Sequence, residues 1–368
     1  MADCCDFLEP LGPDASTRVF TLLDDPADLV RATAVSRSWR RFVIENGFSK
    51  SLCTRKFPEV LNFSSVSEVS DSSKNAQVGS SSAFEWANLQ KEHRVYAMLC
   101  HSIISPDNKG DCIYTPVYAS STDNYPDEGI ENTLEPDEAV DGMPSYWSSG
   151  GQSDPGVSEF LIYSLTGNLV VVNEIKIQPF EAFFQPGHPI YSAKFVRFRM
   201  GASQWIQDGY AEHQLATDDN YHWTYVSPEF PMTQENVLQS FKLPRPVCCI
   251  GGILQIELIG RVQRQAADGL FYICVCHVQV VGTPLQPSFD VDIEASSSGT
   301  MALKYFPESY ESFTHKRGGT TSTEDPVRAF INFGSDRGLN HPFLGTLLRA
   351  LHSSDEEDYV DDSDDNFY

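Results

Sequence analysis

The side chains best suited to bond chemistry are few, and their spacing does not favour it. Nine histidines and nine cysteines are spread through 368 residues. His188, His213 and His222 follow no helix or strand interval that would bring ligands or proton carriers onto one face. Cys4-Cys5 and Cys248-Cys249 are adjacent pairs, and Cys274-x-Cys276 alternates along an apolar run. None has the two-residue interval of a zinc knuckle, so they read as buried free thiols, which behave as small apolar residues. The segment "SSGGQSDPG" sets a serine among glycines but reads as a loop. There is no Gly-x-Ser-x-Gly elbow, no phosphate-cradling glycine loop before a helix and no His-Glu-x-x-His. The expectation is a chain that binds, with no catalytic residue, no metal and no cofactor.

Composition narrows what it binds. The chain carries 51 acidic against 26 basic residues, a net charge of −25. Such a chain repels nucleic acid and anionic membrane surfaces, so neither is expected as a partner. "MADCCDFLEP" lacks the basic start and apolar centre of a secretory signal. No apolar run approaches the ~18 residues of a membrane helix. With an odd number of cysteines, the expectation is reduced thiols and a cytoplasmic and/or nuclear location.

The first elements are helical. Asp14, after Pro13, suits a helix cap, and Ala15, Val19, Leu22 and Leu23 recur as one apolar stripe. In "DDPADL", Asp25 suits the cap of a second helix, Pro26 its first position and Asp28 its first turn. Ser36 suits the cap of a third, in which Trp39, Phe42 and Val43 share a face away from Arg37, Arg40 and Arg41. Three short helices in about fifty residues bury little core, and units this small often lean on a partner.

These residues resemble an F-box, the motif by which substrate receptors dock on the adaptor of SCF-type cullin–RING ubiquitin ligases. The resemblance spans 9–58 and rests on Leu11, Asp14, Val19, Phe20, Leu23, the "DDPADLVRATAVSRSWRRFV" block and Leu52. Asp-x-x-Leu followed by Val-Ser-x-x-Trp (Asp25, Asp28, Leu29, Val35, Ser36, Trp39) is its most specific part. Two departures stand out. Gly12 separates Leu11 from Pro13 where the family usually has Leu-Pro, and Ser16 and Thr17 occupy positions where apolar residues are common. The resemblance implies that Leu11, Pro13, Val19, Leu22, Leu23, Leu29, Val35 and Trp39 form or support the adaptor-binding surface, with the cullin joined through the adaptor.

Downstream, residues 64–82 hold nine serines in nineteen positions and read as a flexible linker. A capping-box pattern, Ser82 to Glu85, opens a helical connector over 83–104 with Phe84, Leu89, Val95, Met98 and Leu99 facing inward. From 105 to 285 the texture becomes β. "VSEFLIYSL", "NLVVVNEIKIQPF", "IYSAKFVRFRMG", "HWTYVSPEF", "GGILQIELIGRVQR" and "LFYICVCHVQVVG" read as strands. Alternation over Glu174–Gln178 and Gln255–Leu258 predicts one buried and one wet face. With no helices interleaved, an antiparallel β-sandwich or jelly roll is the expected solution. Residues 286–352 read as a partly ordered extension in which "FDVDI", "MALKYF" and "PVRAFINF" are candidate strands. Residues 353–368, with eight acids and no base, read as a disordered acidic tail. The fold class expected is α+β multidomain: a three-helix F-box, then a β-sandwich.

The β region resembles galactose-binding-like, discoidin-type jelly rolls through "AVDG" (139–142), "YWSS" (146–149) and the strands from Leu161 and Gly251. The combination with an F-box is similar to plant F-box proteins. In sugar-binding relatives an Asp and an aromatic near this loop hold a hydroxyl and stack on a ring, which makes Asp141 and Trp147 candidate ligand residues. Each also has a plain reading, Asp141-Gly142 as a turn and Trp147 as a core anchor. Between 105 and 145 stand ten acids and one lysine, a net of −9, with Tyr114, Tyr118 and Tyr125 among them. Such a surface attracts basic protein segments. The function expected is therefore a receptor subunit of an SCF-type ligase, non-catalytic itself, whose β-sandwich binds a protein target. The alternatives are a receptor for glycans or small ligands and a non-degradative F-box scaffold.

Overall fold

The computed structural model describes residues 8–69, 81–104, 109–203, 217–293 and 300–309. "PVRAFINF", the acidic tail, His213 and Cys4-Cys5 lie outside the described residues. The chain forms two compact units that interleave in sequence. One takes residues up to Lys56 with Glu68–Ser102, and the other takes Phe57–Ser67 with Ile103–Tyr305.

The first unit is helical: α1 (Leu8–Thr21), α2 (Pro26–Thr33), α3 (Arg37–Glu45), α4 (Phe48–Lys56) and α5 (Ser81–Ile104). Asp25 caps α2 by accepting from the Ala27 amide at 2.8 Å, with Pro26 at the first position. Ser36 caps α3 by accepting from the Trp39 amide at 3.1 Å. α1 starts differently from the expected Asp14 cap. It is broken at Gly12 (φ 70°, ψ 169°), and Pro13 leads the turn that follows, so Asp14 lies inside the helix. That combination of dihedrals is open essentially to glycine alone. α4 is a fourth helix beyond the three expected. Leu29, Val43, Phe48 and Leu52 are among the buried residues of the unit. Phe20 packs edge-on to Trp39 with centroids 5.3 Å apart and stacks on Phe48 at 5.4 Å. Arg55 of α4 donates to the Leu23 carbonyl and to Asp24, fixing the turn between α1 and α2. α5 meets α4 through Ser49 and His93 (2.9 Å) and through Lys50 and Glu92 (3.0 Å). Val95, Met98 and Leu99 are buried as expected, but Phe84, expected inward, is exposed.

The second unit is an antiparallel β-sandwich. Its strands are β1 (Phe63–Glu68), β2 (Ile113–Ala119), β3 (Glu159–Leu165), β4 (Leu169–Glu181), β5 (Ala193–Ser203), β6 (Tyr221–Val226), β7 (Gln239–Ile250), β8 (Ile253–Arg261), β9 (Cys274–Pro284), β10 (Phe289–Ile293) and β11 (Met301–Tyr305). One sheet runs β6-β5-β8-β3-β2, and the other is built on β7-β4-β9. The core between them is apolar, with Leu161, Tyr163, Phe198, Met200, Ile256 and Leu258 facing Val170, Val172, Ile175, Ile177, Val278 and Val280. The change of phase between Val172 and Ile175 coincides with a register shift against β9. That irregularity keeps both halves of β4 facing the core. Gln255, expected on the wet face, is buried. Ile162, Tyr221 and Ile253 form a second apolar patch, with Tyr118, Phe160 and Trp223 packed against it.

Two features redraw the expected domain boundaries. The first residues of the Ser-rich stretch form β1, which pairs with β11 beside β10, so this part is not linker. Ser64 donates to the Met301 carbonyl at 3.0 Å. The turn before β1 also belongs to the sandwich unit, where buried Glu59 pairs with Arg245 of β7. β7 itself was not expected. It contains Pro244 and Pro246, which fall in a break of its ladder with β4 between Lys242 and Val247. Prolines without an amide donor are tolerated at such an edge and break.

Candidate docking face and β-domain cleft

The helical unit leaves an apolar face uncovered. Leu11, Val19 and Leu22 of α1 and Val35 before α3 are exposed, Leu22 to 77%. Together with exposed Pro13 they are candidate adaptor residues that present side chains outward. Leu23 and Trp39 are half-buried, and Trp39 lies against Phe20. Leu29 is only 1% exposed, so it supports this surface from inside and does not form part of it. The reason is helical phase: Ser16 and Phe20 turn inward and carry α1's contribution to the core, which releases Val19 and Leu22.

Asp141 and Trp147 do not make a sugar platform. Trp147 is 0% exposed, sits in the main core and donates its indole N–H to the Ser121 carbonyl at 3.1 Å. A ring with no free face has nothing to offer a sugar. Asp141 and Gly142 have positive φ (52° and 79°) and close the two-residue turn between Ala139–Val140 and Met143–Pro144. This Asp-Gly pair does the work of a primed hairpin turn.

A cleft does open elsewhere in the sandwich unit, with a volume of ≈ 120 Å³. Its walls come from separate segments: the 123–128 loop, Tyr146, the end of β4, Tyr191 and Tyr272. Tyr146 stacks on Phe180 at 3.9 Å, and Tyr191 meets Tyr272 edge-on at 6.4 Å. Half-exposed Phe184 lines it as well. Each tyrosine hydroxyl donates to a side chain: Tyr146 to Glu128 (2.7 Å), Tyr191 to Gln185 (2.7 Å) and Tyr272 to Asp268 (2.6 Å). Burial, then the Glu128 and Asp268 carboxylates, raise the Asp123 carboxyl above its ordinary value. Burial pushes the Cys274 thiol up to about 12, and Glu128 and Asp123 add to the rise. Of the clustered residues, the sequence offered only the acids of 105–145. The aromatic walls are far apart in the chain, and nothing local marks them as neighbours.

Among the described residues no group of three or more His, Cys, Asp or Glu is placed to hold a metal ion. The described cysteines are buried free thiols. No described helix is long and apolar enough to cross a membrane.

A helical unit with an uncovered apolar face is carried on the same chain as an antiparallel β-sandwich. The F-box-like family matches residues 13–55, which take in Val19, Leu22 and Val35 of the exposed face but not Leu11. The F-box protein At4g00755 of Arabidopsis thaliana is 42% identical over 380 residues, covering 98% of this chain and 97% of its own. The chain belongs to the F-box proteins. Solved structures similar to its β unit include the family 32 carbohydrate-binding module of Streptococcus pneumoniae EndoD, at 12% identity, 46% of this chain, 98% of that one and a TM-score of 0.32. An F5/8 type C domain from Bacteroides fragilis has 12% identity, 49% and 100% coverage and a TM-score of 0.31. The β-sandwich assignment rests on the strand pairing itself.

Proposed function

We propose that this chain is the substrate-receptor subunit of an SCF-type cullin–RING ubiquitin ligase. The face of Leu11, Val19, Leu22 and Val35 docks the adaptor, the cullin follows through it, and the sandwich unit holds a protein target. The chain breaks no bond itself. It raises the effective concentration of the target's lysines near the ubiquitin-charged enzyme. The observation that carries the reading is the exposure of large apolar side chains on α1 inside the F-box-like match. Exposed clusters of this kind mark protein interfaces. Buried reduced thiols suit a cytoplasmic or nuclear setting.

The test substitutes Val19→Asp and Leu22→Asp in the full chain and measures recovery of adaptor and cullin by pull-down. Both positions are exposed, so the fold and its circular dichroism stay unchanged while recovery falls at least about tenfold, as expected when charge is placed in an interface core. Leu23 and Trp39 are poorer probes, because each is half-buried and Trp39 contacts Phe20. Failure of the unaltered chain to recover the adaptor, or undiminished recovery by the double variant, would reject the reading.

A further inference from the structure

We propose that the cleft beneath the 123–128 loop takes a lysine side chain of the protein target. The inference deepens the receptor reading and rests on it, since it assigns the recognition element to the sandwich unit. The size of the cleft comes first. At ≈ 120 Å³ it falls well below the about 300–1,000 Å³ of pockets that enclose whole small ligands. It has room for one side chain.

The chemistry of the walls selects which. Tyr146, Phe180, Tyr191 and Tyr272 supply aromatic faces and edges suited to an alkyl stem. The three phenol protons are already donated to Glu128, Gln185 and Asp268, so the tyrosine oxygens are left as acceptors. Asp123 and Glu128 line the cleft, and no residue lining it is basic. An aromatic box with acceptors and uncompensated carboxylates attracts a cation. An anion or a neutral acceptor would find no charge to meet it. Lysine fits better than arginine. Its ammonium is a point charge with rotatable donors that the tyrosine oxygens and the Asp123 and Glu128 carboxylates can share, whereas a planar guanidinium fork needs one carboxylate presented edge-on. Phe184 lines the cleft and is exposed, and Phe183, also exposed, packs edge-on to it at 5.5 Å. They provide the apolar contact that a peptide backbone and its flanking residues require, which favours a protein source over a free small amine.

The test uses full-length protein and three capped pentapeptides, with Lys, acetyl-Lys or Arg between glycines, titrated by saturation-transfer NMR. The free-lysine peptide is expected to bind at least about tenfold more tightly than either other, since acetylation removes the charge and arginine lacks the fitting geometry. Asp123→Asn with Glu128→Gln is expected to weaken it about tenfold; Asp123 is exposed, and a glutamine at 128 keeps an oxygen that accepts from Tyr146, so the melting temperature should fall by no more than a few degrees. Phe184→Ala supplies a second variant that alters no charge and is expected to weaken binding a few-fold. Equal binding of the acetylated or arginine peptide, absence of lysine-peptide binding, or indifference to all three substitutions would overturn the proposal. Adaptor recovery from the same preparations reports on the receptor reading separately. Its loss with lysine binding intact would fail that reading alone, and the converse would fail this one alone.

Discussion

Arg261 is the clearest case of a single residue whose partners dictate its identity. Its side chain is 0% exposed and pairs with buried Glu159. It also donates to the carbonyls of Val157, Gly150 and Phe271 and to Ser149 Oγ, at 2.8–3.0 Å. One guanidinium thus satisfies the backbone of the 149–157 loop beside β8. A buried ion pair contributes little net stability, but removing one partner strands the other charge. Arg261→Leu should therefore cost about 3–5 kcal/mol. Arg261→Lys should recover only part of that, because an ammonium cannot reach the same set of acceptors. Urea denaturation monitored by circular dichroism measures both. Ser16 makes the opposite prediction. It occupies a position where F-boxes favour apolar residues, is 1% exposed, and its hydroxyl has no partner among the described residues. An unsatisfied buried hydroxyl carries a desolvation penalty, so Ser16→Ala should stabilise the helical unit by about 1 kcal/mol. A lower urea midpoint for that variant would contradict this.

Individual elements show what local sequence reveals. The caps of α2 and α3 were legible because Asp25-Pro26 and Ser36 act within three residues of themselves. The six β runs were legible because β-branched and aromatic residues cluster between turn formers. What escaped depends on distant partners. β1 reads as linker until β11 is placed beside it, and β7 is masked by two prolines that only an edge strand with a broken ladder accepts. The exposed face of α1 was visible as a stripe, but its direction was not, since Ser16 and Phe20 had to be known to turn inward. The packing of α5 on α4 likewise joins residues forty-four positions apart, Ser49 and His93. Burial lowers the His93 pKa to about 4, with Arg94 and Arg40 adding to the shift, and the pair of Lys50 and Glu92 lies on the same two helices. The folded pKa is below the unfolded value of 6.5, so nothing is lost above pH 6.5. As pH falls from there towards 4 the unfolded chain takes up a proton that the folded one refuses, and stability declines by up to about 3 kcal/mol. His93→Gln should flatten this part of the pH–stability curve. Because carboxylates titrate there too, the measurement is the difference between urea midpoints of the two proteins at pH 7 and pH 4.5. A constant difference would mean that His93 is not buried against α4.

For the whole molecule, the decisive fact is that the two units interleave along the chain. A cut at residue 58 separates the F-box helices from α5, and with it the contacts of Ser49 and Lys50 to His93 and Glu92. A sandwich taken as 105–285 loses more. It lacks Glu59, whose carboxylate is buried against Arg245, and it lacks β1, β10 and β11 with the buried side chains of Phe63, Phe289, Val291, Leu303 and Tyr305. It also loses the hydrogen bond from Asn168 at the start of β4 to Asp290 (3.2 Å). The boundaries that composition suggests are therefore poor places to divide this protein, because the serines of 64–67 look like linker and behave as strand. The fragment 57–309 should melt at least about 5 °C above the fragment 105–285, given roughly 2–4 °C per kcal/mol for a domain of this size. Thermal unfolding followed by circular dichroism compares them. Equal melting temperatures would show that the small sheet and the Glu59 turn add nothing to the sandwich. A higher value for the longer fragment would place the segment before α5 within the sandwich unit, so that this unit starts at Phe57 and not after the serines.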